Sequence, residues 1–179
     1  MAITTRRATA ADAEALHALA ARTFGLATPP GTLQTDIDAF VSQHLSRESF
    51  TRYLADQQRV LLVAEQEGEA VGYAMLVGGE ISDPELAKTV AAAGDGVAAE
   101  LSKFYVAPES HGSGVASTLM AATLAEAAAM GAALCWLGVN QRNARAARFY
   151  AKHGFEVVGT KRFLVGEVWH DDHVRARRL

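Results

Sequence analysis

A strand that runs through a glycine turn into a long alanine-rich helix restricts the fold of this chain more than any other feature. Phe104-Tyr105-Val106-Ala107-Pro108 reads as the end of an extended segment, Gly112 and Gly114 as the turn, and Val115-Ala116 as the start of the helix. Glycine tolerates positive φ and lets a ligand approach the backbone, while the first turn of a helix offers N–H groups with no internal acceptor. Those donors, at the positive end of the helix dipole, make the junction a cradle for an anion such as a pyrophosphate. About thirty residues further on, Asn143-Ala144-Arg145-Ala146-Ala147-Arg148-Phe149-Tyr150 places Asn143 and Tyr150 on one stripe of a second helix.

Composition limits what surrounds this junction. The 179 residues, 50% hydrophobic and 21% charged, suffice for one well-buried core, so a single domain over 1–179 is expected. A net charge of −3 supplies no basic face for nucleic acid, and Arg175, Arg177 and Arg178 read as a solvated tail. The one cysteine, Cys135, forms no internal disulfide, which fits a reducing compartment. Its neighbours Leu134, Trp136 and Leu137 mark it as a buried apolar residue, not a catalytic thiol. The segment after Ala10 mixes charge with alanine and lacks the apolar core of a signal peptide. The longest apolar stretch, Ala121 to Val139, is broken by Glu126 and Gly131, so no membrane span is expected and a cytoplasmic protein follows.

Along the chain, Ile3 to Arg7 alternates as a short strand, and Thr9 or Asp12 can cap a helix carrying Leu16, Leu19 and Phe24. Thr28-Pro29-Pro30-Gly31-Thr32 stops it, and a helical region with a break near Ser46 follows from Asp36 to Asp56. Val60–Glu65 and Ala70–Val77 flank Glu67-Gly68-Glu69 as a hairpin. Gly78 to Gly96 reads as an insertion with a short helix at Pro84–Ala93. A strand to Val106, a helix from Gly114 to Met130 that is apolar on nearly every face and so core-packed, and a buried strand Leu134–Val139 follow. A helix from Asn143 to His153 and two strands, Glu156–Leu164 and Val168–Arg177, complete an α/β or α+β chain.

These motifs resemble the GNAT superfamily of acetyl-CoA-dependent N-acetyltransferases, most sharply from Glu100 to Phe155. The resemblance implies the GNAT fold, a mixed central sheet of about six to seven strands flanked by helices and splayed at the cofactor strand. The family's pyrophosphate motif falls on His111, Gly112, Ser113, Gly114, Val115 and Ala116, with Ser117 in the following turn. His111 replaces the usual arginine or glutamine, and imidazole can still donate a hydrogen bond to phosphate. The resemblance further implies that Phe104, Tyr105 and Val106 pair with the pantetheine arm and that an N–H near Val106 polarises the thioester carbonyl. Asn143 corresponds to a cofactor-contacting residue, and Tyr150 to the acid that protonates the thiolate. A phenol with a pKa near ~10 holds its proton at neutral pH.

Some relatives carry a glutamate base on the strand before the Asn143 helix, where this chain has Gly138. Glu100 is the substitute candidate, acting directly or through water. In Trp169-His170-Asp171-Asp172-His173, strand alternation sends His170 and Asp172 one way and Asp171 and His173 the other, so no metal site is expected. Phe163, Gly166 and Asp172, with Glu100-Leu101 and Leu137-Gly138-Val139, echo the polyamine-acetylating PaiA-like branch. Glu80, Asp83, Glu85, Asp95 and Glu100 would concentrate cationic amines if they faced the acceptor. In this family the region Phe24 to Leu54, with Phe40, Phe50 and Tyr53, roofs the acceptor site.

The expected activity is acetyl transfer from acetyl-CoA to a primary amine, a small amine or polyamine first, then a protein or peptide amine. Family habit implies a homodimer. The competing reading is a noncatalytic acyl-CoA sensor, which would keep the glycine turn and lose the chemistry.

Overall fold

A computed structural model describes residues 2–179. Seven strands form one sheet in the order β1 (Ile3–Arg7), β2 (Arg59–Gln66), β3 (Glu69–Val77), β4 (Ala98–Val106), β5 (Leu134–Asn140), β7 (Val168–Arg178) and β6 (Glu156–Val165). Neighbours are antiparallel except β4 and β5, which run parallel. The helices are α1 (Ala13–Thr23), α2 (Gln34–His44), α3 (Arg47–Ala55), α4 (Pro84–Ala91), α5 (Val115–Ala129) and α6 (Ala144–Lys152). This is the mixed, helix-flanked sheet the sequence implied.

Leu61–Ala64 of β2 and Val71–Leu76 of β3 are buried at every position, which requires cover on both faces of the sheet. Alternation supplies it. Gly72 faces α5, where Leu119 Cδ2 lies 3.4 Å from the place a Cβ would take, and Tyr73 faces α3, edge-on to Phe50 at 5.7 Å. The break expected near Ser46 is a helix start: Ser46 Oγ accepts from Ser49 N at 3.1 Å and caps α3. Among the described residues no helix is long and apolar enough to cross a membrane.

Two expectations are corrected. α5 is not buried all round: Val115, Leu119, Met120, Thr123 and Ala127 face the core, while Ser117, Ala121, Ala125 and Ala128 are exposed. Alanine reads as apolar in a pattern but buries too little area to require shelter. Residues 78–96 are more than an insertion, because α4, capped by Asp83, sends Val90 into a second small core with Trp136, Val174 and Ala176.

The site depends on what β4 does beyond Glu100. β4 and β5 pair only from Ala98 to Glu100 against Leu134 to Trp136, and then separate while both strands continue. The splay is the one the family resemblance implied. β4 also bulges: Met75 pairs with Lys103 and Leu76 with Leu101, which leaves Ser102 as the extra residue. The bulge shifts the side-chain phase, so Glu100, Lys103 and Tyr105 share the face of Val77, Met75 and Tyr73. Phe104 points to the other face, where it stacks on Phe149 of α6 at 5.5 Å.

Candidate active site

Gly112 and Gly114 have φ of +82° and +94°, and Gly114 is the N-cap of α5. A Cβ at Gly112 would meet nothing within 4 Å, so backbone conformation alone calls for glycine there. Thr118 N is the first α5 amide to close a helical bond, onto Gly114 O at 3.0 Å. Among the described residues the N–H groups of Gly112, Gly114, Val115, Ala116 and Ser117 have no backbone acceptor. Five free donors around one turn at a helix N-terminus fit an anion. Ser113 differs. Its N–H and hydroxyl both donate to Ser110 O, at 3.3 and 2.6 Å, and hold the turn closed.

His111 turns back onto the strand that precedes it. Its Nε2 donates to Val106 O at 2.9 Å, so a neutral ring presents only an acceptor at Nδ1 and has no donor left for phosphate. Ala107 N donates to Val71 O on β3. By alternation the Val106 N–H and C=O point away from β3 into the splay, as does the Phe104 N–H. His111 therefore satisfies the Val106 carbonyl that the departure of β5 leaves unpaired, and the adjacent N–H stays free.

A cleft of about 180 Å³ follows the splay, lined by Phe104, Tyr105, Val106, His111 and Ala116 together with Asn143, Arg145 and Tyr150. Asn143 Oδ1 accepts from Ala146 N at 3.0 Å and caps α6, which leaves its amide NH₂ for the cleft. The Tyr150 hydroxyl has no hydrogen-bond partner among the described residues. Burial first, then Tyr105 and Cys135, push it well above the usual phenol range, so it keeps its proton at any working pH. Cys135 is the inert buried thiol expected, raised to about 12 by burial.

A second cleft, about 230 Å³, lies on the opposite side of the splay beneath the segment joining α1 to α2. Its roof includes Phe24 and Phe40, stacked at 4.3 Å, and Phe40 also meets Phe163 of β6 at 5.6 Å. Phe50 and Tyr53 do not line it. Phe50 is core, and Tyr53 braces the helices by donating its hydroxyl to His44 O at 2.8 Å. Ala27, Phe104, Tyr105, Asn143, Ala146 and Tyr150 line both clefts, so the two adjoin at the Tyr150 side chain.

The second cleft holds Glu100, Lys103, Lys161, His170 and Asp172. Burial raises the Glu100 carboxyl against the pull of Lys161, Lys103 and Arg59, and burial raises that of Asp172 against Lys161 and His170. Burial likewise lowers the Lys103 ammonium to about 8, against Glu100. Glu80, Asp83, Glu85 and Asp95 are all exposed around α4, so of the five acidic residues only Glu100 reaches this cleft. Among the described residues no three His, Cys, Asp or Glu side chains could hold a metal together.

Sequence reasoning missed Arg145, Lys103 and Lys161. For Lys161 a signal existed: β6 and β7 are joined by the two-residue turn Gly166-Glu167, and counting back from it pairs Phe163 with His170 and Lys161 with Asp172. At Gly138 the absent side chain has a structural counterpart. A Cβ there would collide with Lys161 Cε and lie 3.3 Å from Asp172 Oδ2. Lys161 crosses over β7 into the space that a larger residue on β5 would fill.

A sheet splayed between two parallel strands, with an anion cradle at one mouth and a polar cleft at the other, defines an N-acetyltransferase architecture. The chain belongs to the acetyltransferase (GNAT) family, whose model matches residues 15–155. It is 45% identical over 168 residues to uncharacterized N-acetyltransferases of Mycobacterium tuberculosis and Mycobacterium bovis, covering 94% of this chain and 98% of theirs. Among solved structures it resembles the PaiA N-acetyltransferase of Thermoplasma acidophilum in complex with coenzyme A, with a TM-score of 0.79 at 21% identity over all of both chains. It also resembles the ribosomal-protein-alanine N-acetyltransferase of Brucella melitensis, with a TM-score of 0.68 at 27% identity over 98% of this chain and 99% of that one.

Proposed function

We propose that the protein transfers the acetyl group of acetyl-CoA to a primary amine by direct attack in a ternary complex. The observation that carries this reading is the wall the two clefts share at Tyr150: a chain seated on the cradle and running along β4 reaches an acceptor in the second cleft beside that side chain. Acetyl-CoA supplies the activated acyl thioester. The free N–H groups of Gly112, Gly114, Val115, Ala116 and Ser117 hold the pyrophosphate, with Arg145 beside them, while Ser113 and His111 keep the turn and the Val106 carbonyl in place. The splay-facing N–H groups of Phe104 and Val106 pair with the pantetheine arm, Tyr105 backs that strand, and the Val106 N–H stabilises the oxyanion. The Asn143 amide contacts the cofactor from the other wall.

The amine lone pair attacks the carbonyl carbon, the C–S bond breaks, and Tyr150 gives its hydroxyl proton to the departing sulfur. The proton shed by the amine leaves through water to Glu100, whose raised carboxyl lines the acceptor cleft. The buried single cysteine suits a cytoplasmic setting, and family habit extends the reading to a homodimer, which sedimentation would test.

The experiment is release of free CoA thiol from acetyl-CoA against diamines and polyamines, amino acids, peptides and aminoglycosides, with cofactor binding followed by calorimetry. Amine-stimulated release is the expected outcome. Tight binding with no stimulated release by any amine would replace this reading with a sensor.

A further inference from the structure

Charged side chains inside a cleft are ordinarily paired, because taking them out of water costs several kcal/mol per ion otherwise, on the order of what a buried pair recovers. In the acceptor cleft they are not. Glu100, Lys103, Lys161 and Asp172 make no hydrogen bond and no direct ion pair among the described residues, although Asp172 is only 6% exposed. His170 Nε2 is buried with no partner in the same wall. Two members border the empty position at Gly138: a Cβ there would lie 3.2 Å from Lys161 Nζ and 3.3 Å from Asp172 Oδ2. Two cations and two anions thus face one small space without closing on each other.

We infer that the acceptor is a small zwitterion, an amine that carries a carboxylate, and not a polycation; this narrows the acetyl-transfer reading above and rests on it. Lys161 takes the acceptor's carboxylate in a charge-assisted hydrogen bond, and Asp172 with Glu100 takes its ammonium before deprotonation. A diamine would bring a second cation near the two ammonium groups and leave Lys161 with no anion of the acceptor to bind, whereas a zwitterion answers both signs of charge in the cleft. The cleft volume, about 230 Å³, is enough for a compact acceptor. Gly138 belongs to the same device, since a side chain there would displace Lys161.

Matched acceptors test it. Thiol release from acetyl-CoA is compared within two sets, leucine against leucinamide, and 5-aminopentanoate against pentylamine and 1,5-diaminopentane, in the wild-type protein and in Lys161→Met. In at least one set the acid-bearing member is expected to exceed its neutral or dicationic counterparts by about tenfold or more in kcat/KM, the size of one lost charge-assisted hydrogen bond. In Lys161→Met that ratio falls to near one. Preference for the diamine or the neutral amine in both sets overturns the inference and leaves the acetyltransferase reading standing, as does a ratio unchanged by Lys161→Met. If no acceptor releases thiol, calorimetric titration of the same acceptors into protein saturated with coenzyme A reads the selectivity directly. Acid-selective binding then supports the inference while the catalytic reading falls, and unselective or absent binding overturns it. The wild-type ratios decide the matter even if the variant fails to fold.

Discussion

Tyr150 and Tyr73 are both aromatic hydroxyls raised by burial, yet they have opposite consequences. Tyr150 opens on both clefts and holds a proton that transfer chemistry can use, so Tyr150→Phe is expected to lower kcat by about 10²-fold with little change in the KM for acetyl-CoA, read by steady-state thiol release. Tyr73 is 0% exposed, stacked on Tyr105 at 5.6 Å, and its hydroxyl has no partner. Removing an unsatisfied buried hydroxyl relieves its desolvation cost, so Tyr73→Phe should raise stability by ~1 kcal/mol in urea unfolding. Lys103 adds a pH dependence. Its ammonium titrates near 8 in the fold and near 10.5 when unfolded, so the folded state binds fewer protons between those values and this group makes stability rise with pH there. Lys103→Met is therefore expected to stabilise the protein by ~2 kcal/mol at pH 7, an advantage that shrinks as pH rises past 8 and is gone by about 10.5.

At the scale of elements, turns and registers place the chemistry. Glu67 and Gly68 connect β2 to β3 with φ of +55° and +84°, a pair of left-handed residues that suits the twist of a two-residue hairpin. Glutamate is a poor occupant of that conformation and asparagine a good one, so Glu67→Asn should add roughly 0.5 kcal/mol, seen as a higher Tm with unchanged thiol release. The hairpin of β6 and β7 is long enough to reach across the sheet to α2, where Gly166, at φ +61°, packs so closely on the Asp36 carboxyl that a Cβ would come within 2.5 Å of its Cγ. That contact sets the hairpin, with Lys161, His170 and Asp172, against the roof of the second cleft. The elements themselves were largely legible in the sequence, because their caps, glycines and apolar spacing are local. The bulge at Ser102 was not, since nothing in Leu101-Ser102-Lys103 marks it; it arises from pairing with Met75 and Leu76 of β3.

Over the whole molecule, ion pairs from Arg6 and Arg7 tie the first strand to the rest, Arg7 reaching Glu126 of α5. Arg6 on β1 bonds Asp12 at 2.8 Å, in the turn before α1, and Glu65 of β2 at 2.7 Å. Arg6 first, and the Thr9 amide after it, hold the Asp12 carboxyl down at about 2. A carboxylate lowered in the fold stabilises it above the unfolded value of 3.8 and loses that contribution as pH falls toward 2. Arg6→Met should cost ~1 kcal/mol at pH 7, within the range of partly exposed ion pairs, and the gap to wild type should close between pH 4 and 2 in acid-unfolding curves. The same global scale decides that the two clefts adjoin: β4 and β5 part after Glu100 and Trp136, and Tyr150 of α6 borders both clefts.

The sequence by itself determined the glycine turn, the α5 and α6 helices, most of the strands and the family resemblance. Each rests on short-range rules, glycine at positive φ, capping, apolar period and a motif a dozen residues long, that neighbours in the chain enforce on one another. Only the tertiary structure decided that His111 bonds the Val106 carbonyl, that Glu100 shares a face with Lys103, and that Lys161 occupies the space Gly138 leaves open. Those facts depend on register between strands far apart in the chain. A shift of one residue in pairing turns every side chain to the other face, and local sequence carries no record of which shift the packed sheet selects.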